Sequence, residues 1–248
     1  MITCYADPRK SYSVRVAAAF AAGCGGEVAL DFKLREGVAV IVGMAEPQRA
    51  LMRAAADWYH VDHGYFGRGA YYRVSHQALW TDGHGPPAHE KLERFGVRFS
   101  GRVNGGPELL VCTQTPGTYA FERSTQDRWL ADTVRALRAV SNRHPVIRHK
   151  PIGHLRSQPP VHELFPFVHA LVCHSSCAAL EALAHGVPVV VTSTFPACLL
   201  ATELDKVETP FLPTVDARRD LFARIAAQQW NVDEMASGEC WGQLHGDR

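Results

Sequence analysis

The sequence predicts an α/β protein with parallel strands. Three observations lead there. Short apolar strands alternate with helix-period segments along the chain. The phrase "LVCHSSCAALEALAHGVPVVV" reads as strand, polar turn, helix, Gly-Val-Pro and strand, a complete βαβ unit. A cluster of glycine, proline and polar residues over 81–107, holding "TDGHGPPAHE" and "GRVNGGPE", splits the alternation into two halves.

"MITCYA" reads as the first strand. "SYSVRVAAAFAAGC" follows as a helix, with Ser11 or Ser13 as cap and Gly25-Gly26 as stop. "EVAL" is a short strand and "GVAVIVGM" a buried one. "EPQRALMRAAADW" carries Pro47 near its first helical turn, where proline fits. "WYHVDHGYF" is a strand running into a loop. After the Gly/Pro region come "ELLVCTQ" (strand), "TQDRWLADTVRALRAVS" (helix), "PVIRHKP" (strand), a proline-rich link and the βαβ unit. The end, from "RRDLFARIAAQQW" on, is helical.

Composition narrows the class. The chain has 248 residues, 46% hydrophobic and 21% charged, as expected of a globular protein with a real core. A net charge of +1 supplies no global field toward nucleic acid or anionic membrane. The cysteines are seven, scattered and without CxxC spacing, which predicts reduced thiols and a cytoplasmic protein. "AAFAAGC" is not read as a lipoprotein signal, because a strand-like start and an acidic residue precede a short apolar run. No run approaches the ~18 apolar residues of a membrane span. Walker A, GxSxG and HExxH motifs are absent, and "GCGG" follows a helix rather than linking strand to helix.

Three stretches carry chemistry. Ser175 and Ser176 stand at a helix start, where hydroxyls cap free N–H groups and where the same N–H groups bind phosphate. Glu181, on the same helix, is either a ribose acceptor or a solvated surface carboxylate. Arg148, His149 and Lys150 end a strand, either as a basic turn or as a positive cluster for a departing phosphate. Asp62 precedes Gly64 after an aromatic strand, and a carboxylate there is either a turn cap or a general base. His60, Asp62 and His63 stand too close together for a usual zinc spacing. Tyr65, Phe66, Tyr71, Tyr72 and Trp80 interleave with Arg68 and Arg73, a pattern shared by core packing and by stacking on sugars or unpaired bases.

The phrase with Ser175, Ser176, Glu181 and "GVPV" resembles the second domain of GT-B glycosyltransferases, in which such a unit binds the nucleotide half of a sugar donor. More narrowly, it is similar to bacterial sialyltransferases and capsule-polysaccharide transferases. Those have an acidic residue before glycine, a His-Pro motif and a Ser-Ser pair in that order. "VDHG", "IRHKP" and "HSS" match the order. The middle motif departs, since Lys150 separates His149 from Pro151.

The resemblance implies a GT-B-like fold: two Rossmann-like domains, 1–103 on the acceptor side and 104–248 on the donor side, with parallel sheets facing a cleft and the terminal helix crossing back. It implies a nucleotide sugar of UDP or CMP type as co-substrate and no bound metal, in keeping with the missing DxD motif. Arg148, His149, Lys150, His174, Ser175, Ser176 and Glu181 would bind the donor. Asp62 would be the base, with His63, Tyr65, Arg68 and Arg73 at the acceptor. The end, "QQWNVDEMASGECW", resembles the tail of small phage-encoded transferase-like proteins, which points to 5-hydroxymethylpyrimidine (hydroxymethylcytosine) DNA as acceptor, in a host cytoplasm. A surface or capsular glycan is the alternative acceptor. A non-catalytic nucleotide or nucleic-acid binding module is the alternative of another class.

Overall fold

The computed structural model describes residues 1–103, 105–150 and 158–246. The chain forms two compact units, residues 1–88 with 224–248, and residues 89–223. The expected 103/104 boundary falls inside the second unit. Its loop is tied there by Ser100 N–H to the Ala184 carbonyl (2.8 Å) and Val103 N–H to the Gly186 carbonyl (3.1 Å).

In the first unit β1 (Ile2–Tyr5), β2 (Glu27–Ala29), β3 (Val38–Val42) and β4 (Asp57–His63) pair in parallel. The expected all-parallel sheet is corrected beyond that point: β5 (Tyr72–His76) and β10 (Gln229–Trp230) add antiparallel, giving the order β10-β5-β4-β3-β1-β2. The loop of 64–71 is short enough to return β5 alongside β4, whereas a parallel return needs a crossover of a dozen or more residues.

Helix α1 (Ser11–Cys24) buries Val16, Ala17, Phe20 and Ala21, a helical spacing that lays one apolar stripe on the sheet. Neither Ser11 nor Ser13 is its cap. Lys10 is the N-cap, without a side-chain bond, and Ser13 Oγ instead accepts the Asp7 N–H at 3.0 Å. Gly25 ends the helix at φ 67°. Helices α2 (Glu46–Ala54), α8 (Val232–Ala236) and α9 (Glu239–Gly246) complete this unit. Met235, Cys240 and Trp230 join Phe20, Tyr59 and Val61 in its core.

The second unit holds α3 (His89–Arg94), β6 (Glu108–Cys112), α4 (Pro116–Phe121), α5 (Gln126–Val140), β7 (Pro145–Arg148), β8 (Val168–Cys173), α6 (Cys177–Ala184) and β9 (Val189–Val191). Helix α7 (Val215–Ala227) follows. The four strands are all parallel, in the order β7-β6-β8-β9. Leu109, Val111, Ala170, Val172 and Val190 are buried, as near-continuous apolar strands covered on both faces require. Among the described residues no helix is long and apolar enough to cross a membrane.

The "HGVP" turn after α6 shows why glycine stands there. Gly186 has φ 78°, and a Cβ would run into the Gly101 carbonyl oxygen. Gly186→Ala is therefore expected to cost more than about 2 kcal/mol. Gly242→Ala, in α9 with open space around it, should be neutral or stabilising by up to about 1 kcal/mol. Urea melts of the two variants check this; equal midpoints would refute the close-approach account.

Candidate functional site

The order β7-β6-β8-β9 reverses direction between β6 and β8. Open α/β sheets bind ligands at such a switch point, outside the carboxyl ends of the strands. A cleft of about 400 Å³ lies there within the second unit. Cys112 and Thr113 reach it from the end of β6, and Arg148, His149 and Lys150 from the end of β7. Ser176, Cys177, Ala178 and Glu181 reach it from the start of α6, and Pro160 and His162 from the turn before β8.

Specific bonds hold these strand ends. Lys150 N–H donates to Thr113 Oγ1 (3.1 Å), joining the β6 and β7 ends. Arg148 Nη2 donates to the Pro159 carbonyl (2.5 Å). Gln126 Nε2 donates to His149 Nδ1 at 3.4 Å. The buried Gln114 side chain donates to the Ser175 carbonyl and braces the serine turn. Ser176 is the N-cap of α6 and accepts the Ala178 N–H at 3.2 Å, so capping is realised at a residue that also lines the cleft. Glu181 Oε1 accepts from His162 Nδ1 at 3.0 Å. Burial foremost pushes the Cys112 thiol far up, leaving it a neutral piece of the floor.

The cleft thus gathers Arg148, His149, Lys150, Ser176 and Glu181 from the expected donor set. Two expected members lie elsewhere. Ser175 is 0% exposed, and its hydroxyl has no hydrogen-bond partner among the described residues. His174 turns to another network: Nε2 meets Glu122, Nδ1 lies 3.2 Å from Thr192 Oγ1, and its ring stacks on Tyr119 at 5.3 Å. Trp129 Nε1 also donates to Thr192 Oγ1 (2.8 Å). His174 directly follows β8, is held by Glu122 and Thr192, and does not line the cleft. Pro151, the last residue of the middle motif, lies outside the described residues.

In the first unit, Asp62 and Arg73 are register partners on β4 and β5. Arg73 Nη2 donates to Asp62 Oδ2 (2.9 Å), and the His63 N–H donates to Oδ1 (2.8 Å). Burial pushes the Asp62 carboxyl upward, but Arg73, His60 and the His63 N–H outweigh it and hold the group at about 2. Asp62 is 27% exposed and Arg73 only 4%.

The expected acceptor role of Arg73 is corrected by that geometry. Its remaining donors go to the His63 carbonyl (2.6 Å) and the Leu79 carbonyl (3.4 Å), and its guanidinium lies over the rings of Tyr65 (5.1 Å) and Trp80 (4.8 Å). The Tyr65 hydroxyl accepts the Thr81 N–H at 3.2 Å. Arg68 is exposed on the loop. His63 points to the opposite sheet face from Asp62, between Tyr12 (4.8 Å) and Tyr72 (5.7 Å). Burial foremost, joined by Arg68, Arg73 and Lys10, lowers its pKa against the pull of Asp62. His60 is buried and held neutral, at about 4, chiefly by desolvation.

No protein-family model matches the chain, and no curated protein matches it. Solved structures do. The chain superposes on "Thermosulfurimonas dismutans KpsC, beta Kdo 2,7 transferase" with TM-score 0.55 and 12% identity, covering 98% of this chain and 99% of that one. The chain shares that fold. A second match, the same organism's "KpsC, beta Kdo 2,4 transferase", has TM-score 0.51 and 12% identity, covering 90% and 89%. At such identity the likeness concerns architecture, and residue roles rest on the geometry above.

Residues that sequence reasoning passed over take part in both places. His162 and Thr113 line the cleft, and Tyr12 packs on His63. Thr113 directly follows an apolar strand, a position from which the cleft was legible. His162 sits in a proline-rich link with no motif.

Proposed function

We propose that the chain is a glycosyltransferase of GT-B-like design, with the nucleotide of an activated sugar held by the second unit. One observation carries this. A single cleft at the sheet's switch point joins two cationic side chains, a helix start and a carboxylate, the set that a sugar nucleotide's phosphate and ribose require. Arg148, Lys150 and the α6 start take the phosphate, and Glu181 takes the ribose. Asp62 of the first unit serves as base toward the acceptor hydroxyl.

The acceptor in this proposal is a glycan of the capsular type. Both structural neighbours are named as Kdo transferases, which favours a saccharide. The hydroxymethylpyrimidine-DNA reading leaned on the phage-like tail and on the basic-aromatic segment. In that segment Tyr65 and Trp80 pack against Arg73, and Tyr72 is buried in the core.

The test offers a panel of CMP- and UDP-sugars, CMP-Kdo among them, with capsular oligosaccharides and with hydroxymethylated DNA, and reads products by mass spectrometry. A sugar mass on the oligosaccharide is the expected result. A mass gain on the modified base alone would reinstate DNA, and no transfer to either would refute the enzyme reading. Lys150→Ala should weaken binding of the active donor's nucleotide by roughly tenfold or more, measured by calorimetry, since a charge-assisted hydrogen bond is worth about 1.5–3 kcal/mol.

A further inference from the structure

The cleft of the second unit has an aromatic edge to which no function has been given. His162 lines it from a 3-10 turn, Val161–Phe167. Its ring lies parallel to that of His185, with centroids 5.7 Å apart and planes 8° apart. The Phe165 ring sits 5.3 Å from His185, tilted by 58°.

Both histidines are held in place. His185 Nδ1 is 3.0 Å from the Glu181 carbonyl oxygen, which only accepts, so His185 carries a proton on Nδ1. His162 Nδ1 is 3.0 Å from Glu181 Oε1, a carboxylate oxygen, and therefore donates as well. A stack on one face and a hydrogen bond in the plane leave His162 little freedom to turn. Its side chain is nonetheless 47% exposed.

We infer that His162 is the base-binding platform of the cleft, with a nucleotide's heterocycle packing on the ring face turned away from His185. The inference rests on reading the cleft as a nucleotide site and adds to it which residue selects a nucleoside over a bare sugar phosphate. A cleft of about 400 Å³ is large enough for such a ligand. Its basic residues Arg148 and Lys150 come from the β7 end and His162 from the turn before β8, so phosphate and base are served by different elements. Glu181 gives one oxygen to His162 and keeps Oε2 for ribose. The side chain that meets the sugar thus also orients the platform for the base.

The experiment measures binding of CMP, UMP and ribose 5-phosphate to the whole chain by calorimetry. Wild type is expected to hold its preferred nucleotide about tenfold or more tighter than ribose 5-phosphate, the scale of one base stacked on an aromatic ring. His162→Ala should bring the nucleotide down to the ribose 5-phosphate level, and His162→Phe should restore most of the difference. An unchanged ratio in His162→Ala overturns the platform while leaving the cleft as a phosphate site. Failure of His162→Phe to restore the preference overturns stacking as the mechanism. Wild type that binds none of the three overturns the nucleotide reading and this inference with it.

Discussion

Replacing Arg73 by methionine is expected to destabilise the protein by about 3 kcal/mol, the low end of the range for breaking a buried ion pair from one side. Arg73 is 4% exposed and donates to Asp62 and to two backbone carbonyls, His63 and Leu79. Methionine fills much of the volume but leaves a largely enclosed carboxylate without its cation and two carbonyls without their donor. Arg68→Ala, on the exposed loop, should stay within about 0.5 kcal/mol. The double variant Asp62→Leu/Arg73→Met separates charge from packing, because removing both partners abolishes the unpaired charge and should recover part of the loss.

The same pair sets an acid limb. Asp62 has its folded pKa lowered to about 2, against an ordinary value of about 4. Its contribution, about 2–3 kcal/mol, is fully present above pH 4 and is lost as pH falls toward 2. In Arg73→Met the carboxyl rises, so this limb should move to higher pH. Urea midpoints measured between pH 2 and 7 read both effects. Identical pH profiles for wild type and Arg73→Met would refute the coupling.

Asp62→Asn is expected to lower sugar transfer by about 10²–10⁴-fold while leaving nucleotide affinity unchanged. Asparagine offers one oxygen where the carboxylate uses two, so it keeps an acceptor for either Arg73 or the His63 N–H and loses the charge. The variant should be destabilised by about 2–3 kcal/mol and still fold, which its retained nucleotide affinity would show. The guanidinium that keeps Asp62 ionised also weakens it as a base, since a pKa of about 2 lies far from neutral pH. The acid limb of kcat/KM due to this group should therefore fall below about pH 3, not at the pH 4–5 of an ordinary carboxylate. Turnover by Asp62→Asn equal to wild type would remove Asp62 from the mechanism. Loss of nucleotide binding together with transfer would assign the residue to the donor site or to folding.

The cleft at the ends of β6 and β7 was legible for a physical reason. In a parallel α/β unit, chemistry gathers where strands end and helices begin, and both boundaries leave marks in a sequence. "VIRHK" and "VCHSSCAALEA" carry apolar runs broken by polar residues, and the cleft indeed gathers Arg148, His149, Lys150, Ser176 and Glu181. Ser175 and His174 broke the pattern because a turn residue's direction is set by its brace. Gln114 fixes the Ser175 backbone, and Glu122 with Thr192 draws His174 aside. These partners lie far away along the chain, and nothing local to "HSS" announces them.

The first unit was harder to read. An arginine among aromatics looks the same in sequence whether it faces solvent or a buried carboxylate. The antiparallel return of β5, which sets Arg73 opposite Asp62, decided between the two. Likewise, His162 entered the site only because the turn before β8 brings its ring beside His185 and Glu181.

The sequence by itself determined the α/β class, the βαβ unit around Ser176 and the strand-end position of the basic cluster, since hydrophobic period and helix-start chemistry act over a few residues. Only the tertiary structure decided that Arg73 is a buried partner of Asp62, that His174 belongs to a side network and that His162 edges the cleft. Those outcomes depend on pairing register and packing between segments far apart in the chain, where burial and partner geometry, not local pattern, set the free energy of each side chain.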